Sequence, residues 1–325
     1  MSKTPPLTED LGNDVYQIDT RLAGYTGIAA GYLIRSSRPC LVETGAANSA
    51  PLVIAALAEA GIGPEDLATI VVTHIHLDHA GGVGDIAAAF PQAQVVVHER
   101  GARHLVDPTR LLASARQVFG PDLDTLFGPL LATPAERLAT IDKVGLVDLG
   151  DGRRLDAFHA PGHASHHLGL IDSDTGDLYT GDAAGIYVPE TADVRPATPP
   201  PDFDLDLAIA SMRRFQAAAP NRLLFSHFGP VTAVSDTLER SIEELQRWVS
   251  DVQQARQVVE DVDHAIAMVR ERAAARYPAF EADAAVAEKF EHLSSVAANV
   301  TGIWRWLEST DRPDPTSLGR SPNPN

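Results

Sequence analysis

The stretch "THIHLDHAGG", Thr73–Gly82, places three histidines and an aspartate within six positions, His74 to His79. The run leading into it, "LATIVVTH", is rich in β-branched residues and reads as a buried strand that stops at His74. In an extended chain alternate side chains point the same way, so His74 and His76 share a face. Asp78 and His79 fall at the turn into the next helix and can swing back toward them. Imidazole and carboxylate are zinc or iron ligands at about 2.0–2.2 Å. A lone histidine would be read as a satisfied polar residue at a turn. Three histidines and an aspartate are costly to bury together without an ion, so a metal site is the better reading. One ion needs three or four ligands, so this stretch either holds one ion alone or begins two sites.

Outward from it, strands and helices alternate. "GIAAGYLIRS" (Gly27–Ser36) and "PCLVET" (Pro39–Thr44) read as paired strands. In "SAPLVIAALAEAG", Leu52, Val53, Ala56, Leu57 and Ala60 form one face of a helix, with Ser49 as its cap, Pro51 in its first turn and Gly61 at its end. "VGDIAAAF" is a second short helix and "AQVVVHE" another strand, a rhythm that argues for an α/β layer fold. Residues 101–140 break the rhythm and read as a helical insertion. Strands resume in "KVGLVDLGDGRRLDAFHAPG" and "HLGLIDSDTGDLYTGD", the second a hairpin turning on "DSDTGD". Phe203–Pro220 is an amphipathic helix, and "NRLLFSHFGP" a strand ending at His227.

These assignments divide the chain into a catalytic domain over 1–234, a helical C-terminal extension over 235–310 and a disordered tail over 311–325. In the extension, Leu238, Ile242, Leu245, Val249 and Val252 follow a three-four spacing, as do Val259, Val262, Ile266 and Val269. Such stripes are expected to dock on the core. They also leave room for a homodimer through the 235–310 helices.

Composition narrows the partners. The 325 residues carry 26 basic and 44 acidic side chains, a net charge of −18, and no cluster of Lys and Arg. Proteins that neutralise phosphates need such clusters, which argues against nucleic acid and anionic membranes. The single cysteine, Cys40, excludes an intrachain disulfide and reads as a small core residue. There is no signal-peptide pattern and no apolar run of spanning length, so a cytoplasmic location is expected. "NVT" at Asn299 matches a glycosylation acceptor and reads as chance.

Further ligands are sought at other strand ends. His163 in "APGHASHH" follows a strand and a Pro-Gly turn, Asp182 in "LYTGD" ends the next strand, and His227 in "LLFSHFG" ends the last. Three separate strand ends each deliver one metal-type ligand as the apolar run stops, a coincidence that core packing does not explain.

In this order "HIHLDH", "PGH", "TGD" and "SHFGP" resemble the metallo-β-lactamase fold superfamily of hydrolases, over roughly Val15–Pro230. The resemblance implies a four-layer αββα sandwich with two divalent metal ions at one edge, Zn2+ first and Fe or Mn as alternatives. It implies that His74, His76 and His163 take one ion, that Asp78, His79 and His227 take the other, and that Asp182 bridges them. Relatives usually carry an Asp where Glu43 stands in "ETG", which puts the orienting role of that carboxylate in doubt. His166 and His167 are not read as ligands; His167 could orient one. His98, His104, His159, His264 and His292 read as surface or satisfied histidines.

The reaction the resemblance implies is hydrolysis of a carboxylic ester, lactone or thioester by a metal-bridging hydroxide, with Asp78 orienting the nucleophile and shuttling its proton. No Gly-x-Ser-x-Gly elbow offers a protein nucleophile. The pattern resembles the branch that holds the glyoxalase II thioesterases and the acyl-homoserine lactonases. "AAGIYVPETADV" after Asp182 lacks the basic pair that suits glutathione, whereas Tyr187 stands where lactonases use a tyrosine as proton donor. The insertion at 101–140 and "RPATPPPDFD" would roof an apolar pocket for an acyl chain. The main rival is a mononuclear iron persulfide dioxygenase-like oxidoreductase, and a metal-binding module without catalysis is a third reading.

Overall fold

The computed structural model describes residues 6–277, 287–289, 291 and 295–311. A first sheet runs in the order β1 (Thr8–Asp10), β2 (Val15–Asp19), β3 (Ala30–Ile34), β4 (Cys40–Val42), β5 (Thr69–Val71), β6 (Gln94–His98) and β7 (Leu138–Ile141). β1 to β4 pair antiparallel; β4 to β7 pair parallel. The parallel pairs need crossovers. These are supplied by α1 (Ala50–Glu59), by α2 (Leu77–Ala80) with α3 (Val83–Ala89), and by α4 (Glu99–Val106), α5 (Thr109–Phe119) and α6 (Leu123–Leu126). The second sheet comprises β8 (Val144–Gly150), β9 (Arg153–His159), β10 (Leu168–Asp172), β11 (Asp177–Gly181), β14 (Arg222–Phe225) and β15 (Gly229–Val231). β12 (Ile186–Val188) and β13 (Asp193–Arg195) form a separate hairpin.

Strand alternation produces the layers. Tyr32, Ile34, Cys40, Val42 and Val71 face Leu155, Leu170, Tyr179 and Leu224 between the sheets. Their neighbours Leu33, Leu41 and Ile70 face outward onto Val53 and Leu57 of α1 and Ile86 of α3. On the second sheet Phe158, Leu178, Leu223 and Phe225 face Phe215 of α7 (Leu205–Ala217) and Leu238 of α8 (Val234–Arg256). The result is helix, sheet, sheet, helix, the expected four-layer αββα order.

The C-terminal helices α8, α9 (Val262–Arg276) and Val296–Thr310 share one apolar cluster, with Trp248 and Val300 fully buried beside Met212 of α7. Leu238, Ile242, Leu245, Val249 and Val252 are all buried, so the stripe of α8 docks inside the chain. Among the described residues no helix is long and apolar enough to cross a membrane.

Several local expectations change. The helical part of 101–140 ends at Leu126, and Leu138–Ile141 is a strand on the edge of the first sheet. Gly128, with φ +74°, and Pro129 and Pro134 stop the helix, and parallel pairing with β6 decides the strand. Ser49 makes no capping bond, because the 3-10 turn Ala47–Ser49 already leads the chain into α1. β5 and β14 end at Val71 and Phe225, so His74 and His227 stand in the loops just beyond their strands. His292 and the tail beyond Asp311 lie outside the described residues.

Candidate metal centre

Each chemically active side chain leaves a strand end on the same edge of the sandwich. Past β5 the chain runs through Thr73 and His74 to α2, whose first turn carries Asp78 and His79. His163 follows β9 through Gly162, whose φ is +131°, and a Cβ there would lie 2.2 Å from the Ala208 backbone nitrogen. Only glycine fits. Gly181, at the end of β11 with φ +50°, turns the chain to Asp182. His227 stands in the turn from β14 to β15.

These groups form two clusters. His74 Nε2 lies 2.9 Å from His76 Nδ1, and His163 Nε2 lies 3.2 and 2.9 Å from those two atoms. Three nitrogens about 2 Å from a shared centre at tetrahedral angles stand roughly 3.3 Å apart. In the second cluster His79 Nε2 and His227 Nε2 are 3.1 Å apart, and Asp78 Oδ2 lies 3.6 and 3.3 Å from them. Asp182 stands between. Its Oδ1 faces His79 and His227 at 3.3 and 3.5 Å, and its Oδ2 faces His163 at 3.5 Å. The structure therefore brings together all seven predicted ligand positions.

The partners on the far side of each ring assign its proton. His163 Nδ1 donates to the Ala197 carbonyl (2.9 Å), His227 Nδ1 to the Ile28 carbonyl (2.6 Å) and His79 Nδ1 to Glu43 Oε2 (2.9 Å), while His74 Nδ1 meets Thr73 Oγ1 (3.0 Å), a hydroxyl that suits either tautomer. With Nδ1 protonated, a neutral ring turns a bare Nε2 lone pair inward. In the first cluster, nitrogen lone pairs about 3 Å apart repel unless a cation lies between them. Asp182 Oδ1 is likewise buried and faces the His79 and His227 rings. The donor set thus fits metal ions, and three overlapping groups, His74/His76/His163, His74/His79/Asp182 and Asp78/His79/His227, have ligand atoms close enough to hold one.

Electrostatics favour ligating forms in the first cluster. Burial and the neighbouring imidazoles hold His74 well below its usual value, push His76 down to about 3 and lower His163. Burial alone would raise the two aspartates, but His79 and His227 hold Asp78 and Asp182 well below the usual carboxylate range. His79 and His227 themselves are raised: burial opposes their charge, and the surrounding carboxylates outweigh it. Binding of a metal there must release their protons.

Glu43 reverses the doubt raised by its length. It is buried, with a left-handed φ of +66°, and its carboxylate accepts from the Thr73 amide (2.8 Å) as well as from His79. One residue thus ties the loop after β5 to the ring orientation of His79. Sequence reasoning missed Thr73 and left His167 open. His167 Nε2 accepts from the Asp182 amide (3.1 Å) while its ring stacks on His74 at 4.9 Å. The glycine before Asp182 was the available signal, since a Cβ on Gly181 would lie 2.4 Å from His167 Nε2.

Tyr187 is placed differently from the ligand positions. Its ring packs on Phe225 at 5.8 Å, while its backbone amide donates to the His227 carbonyl (2.5 Å). His166 lies 5.9 Å from the His76 ring and belongs to none of the three ligand groups. His98 and His159 pack with tilted rings at 4.5 Å; His98 accepts from the Arg100 amide, and His264 pairs with Asp261. His104 receives the Arg103 guanidinium. Apolar walls flank the centre: Phe203, Met212 and Leu245 line a small cavity with His163 and Asp182, and Leu123, Phe127 and Leu130 of the insertion pack with Leu77 and Ile28.

Comparison with known proteins agrees with this geometry. A model of the Metallo-beta-lactamase superfamily matches residues 25–227. The metallo-beta-lactamase fold-containing protein ST1585 of Sulfurisphaera tokodaii is 34% identical over 172 residues, which span 50% of this chain and 61% of that protein. The crystal structure of an archaeal superfamily protein, ST1585 from Sulfolobus tokodaii, superposes with a TM-score of 0.67 at 22% identity, covering 90% of this chain and 99% of that one. That likeness is one of fold. Acyl-coenzyme A thioesterase MBLAC2 of Gallus gallus is 28% identical over 183 residues, 53% of this chain and 63% of that protein.

Proposed function

The chain belongs to the metallo-beta-lactamase superfamily, and from that premise we propose that it is a dinuclear metal-dependent hydrolase of a carboxylic ester, lactone or thioester. One observation carries the reading: the two oxygens of Asp182 face different histidine clusters. A carboxylate so placed suits a bridge between two ions, with His74, His76 and His163 holding one and Asp78, His79 and His227 the other. When bound, two such ions supply a water of lowered pKa and a Lewis acid for the substrate carbonyl.

The chain's own groups do the rest. The anchored Nδ1 protons of His163, His227 and His79 hold each ring in one tautomer, so little reorganisation accompanies the reaction. Asp78 is 17% exposed while it faces the second cluster, so its ionised carboxylate would orient the attacking water and pass its proton to solvent. Phe203, Met212 and Leu245 make the cavity beside His163 and Asp182 apolar, which suits an acyl group better than a charged one. The relation to an acyl-coenzyme A thioesterase supports keeping thioesters in the substrate set beside lactones and esters. A site on a negatively charged protein suits small neutral substrates better than polyanions.

The test has two parts. Protein purified without added metal is analysed for metal content, and two ions per chain are expected; a single iron would point to the oxidoreductase reading. A panel of esters, thioesters and lactones is then assayed with Asp182→Ala and His227→Ala. Both variants are expected to lose at least about 100-fold in turnover, the scale on which electrostatic groups act. Full activity in either would sink the two-metal assignment.

A further inference from the structure

We propose that Asn299, in the C-terminal helix Val296–Thr310, is a positioning residue for the metal centre, acting on His163 through a single peptide group. This rests on the reading of His163 as a ligand. The peptide joining Ala197 to Thr198 is bonded on both sides. Its carbonyl accepts from His163 Nδ1 at 2.9 Å, and its N–H donates to Asn299 Oδ1 at 2.7 Å. The Thr198 hydroxyl faces both Asn299 Oδ1 at 3.0 Å and the Asn299 carbonyl at 3.1 Å. Thr198 and Asn299 are buried, so water does not substitute for either partner.

The geometry makes this peptide the rest on which the His163 ring lies. Gly162 gives the preceding backbone a φ of +131° and no side chain of its own to hold the loop. The ring meets the rings of His74, His76 and His167 on the metal side, and its Nδ1 bond to the Ala197 carbonyl holds it from the far side. Fixing the amide from the opposite side fixes the carbonyl, and bonds in such a chain polarise one another. The helix also sits hard against the segment: a Cβ on Gly302 would lie 1.8 Å from the Thr198 carbonyl oxygen. A glycine at that point lets the helix approach closely enough for Asn299 to reach.

Partners that hold a ligating histidine from behind typically change metal affinity 10- to 100-fold when lost. The experiment uses the full chain, stripped of metal and titrated with Zn2+ against a chelator, with Co2+ absorption as a second readout. In Asn299→Ala, one of the two zinc ions is expected to bind about 10- to 100-fold more weakly, with altered Co2+ bands for that ion. Asn299→Asp keeps an acceptor at the same place and is expected to restore both readouts. Val300→Ala, a neighbouring packing change, is expected to lower Tm and leave zinc affinity unchanged. If Asn299→Ala does not fold, Asn299→Ser, too short to reach the amide, carries the same expectation. Unchanged affinity for both ions in the Asn299 variant, or an equal loss in Val300→Ala, would overturn the inference. Wild-type protein that binds no zinc would instead refute the metal-centre reading, and this one with it.

Discussion

Replacing Glu43 by Gln tests the site with almost no change of shape. The Glu43 carboxylate accepts two buried bonds, from the Thr73 amide at 2.8 Å and from His79 Nδ1 at 2.9 Å. A glutamine has only one acceptor end. If its oxygen turns to His79, its NH2 meets the Thr73 N–H, donor against donor. If its oxygen stays with Thr73, the NH2 forces His79 Nδ1 to accept, and the ring proton moves to Nε2, the atom that faces the second cluster. Either way the metal-bound form loses one buried hydrogen bond or its ligating tautomer. An unsatisfied buried donor costs about 1–3 kcal/mol, which corresponds to an affinity loss of about 5- to 150-fold. The assay is zinc titration against a competing chelator, with thermal unfolding of the metal-free protein to confirm folding. The loss should fall on one ion and leave the other near its wild-type affinity. Two ions bound within twofold of wild type would refute the argument from the tautomer.

Other expectations follow from the same geometry. Zinc uptake near pH 7 should release protons, because His79 and His227 are raised by their carboxylate neighbours and must deprotonate to ligate; affinity should therefore fall as pH drops below those raised values. Calorimetry in buffers of different ionisation enthalpy measures this, and zero release at pH 7 would contradict it. Gly181→Ala combines a positive φ with contacts of 2.4 and 2.5 Å to His167 and Thr73, so a loss of about 3 kcal/mol is expected in urea unfolding; wild-type stability would mean that the turn can relax. Tyr187→Phe keeps the ring on Phe225 and the backbone bond to His227, so turnover within about twofold of wild type is expected on the substrate panel. A large fall in kcat at unchanged KM would instead support Tyr187 as the proton donor.

The seven candidate ligand positions could be read in advance because the segments that carry them begin where apolar runs stop. Side-chain alternation in the approach to His74 put it beside His76, and the Pro-Gly and Gly turns before His163 and Asp182 marked the chain's exit from a strand. The four layers were legible for a related reason. β3 and β4 alternate in which side chains face the sheet interface and which face α1. The strand at Leu138–Ile141 was not legible, because four residues of mixed propensity become a strand only through parallel pairing with β6.

What "THIHLDHAGG" and its distant partners determined by themselves was which atoms could serve as ligands, since residue type and strand-end placement are local properties. The tertiary structure decided how those atoms are held. Glu43 reaches His79 only because β4 and β5 lie side by side and Glu43 takes a left-handed turn. His167 reaches the Asp182 amide across a hairpin, and Asn299 reaches Thr198 across 101 residues of chain. Hydrogen bonds of that kind depend on the relative placement of packed elements, which no spacing along the sequence encodes.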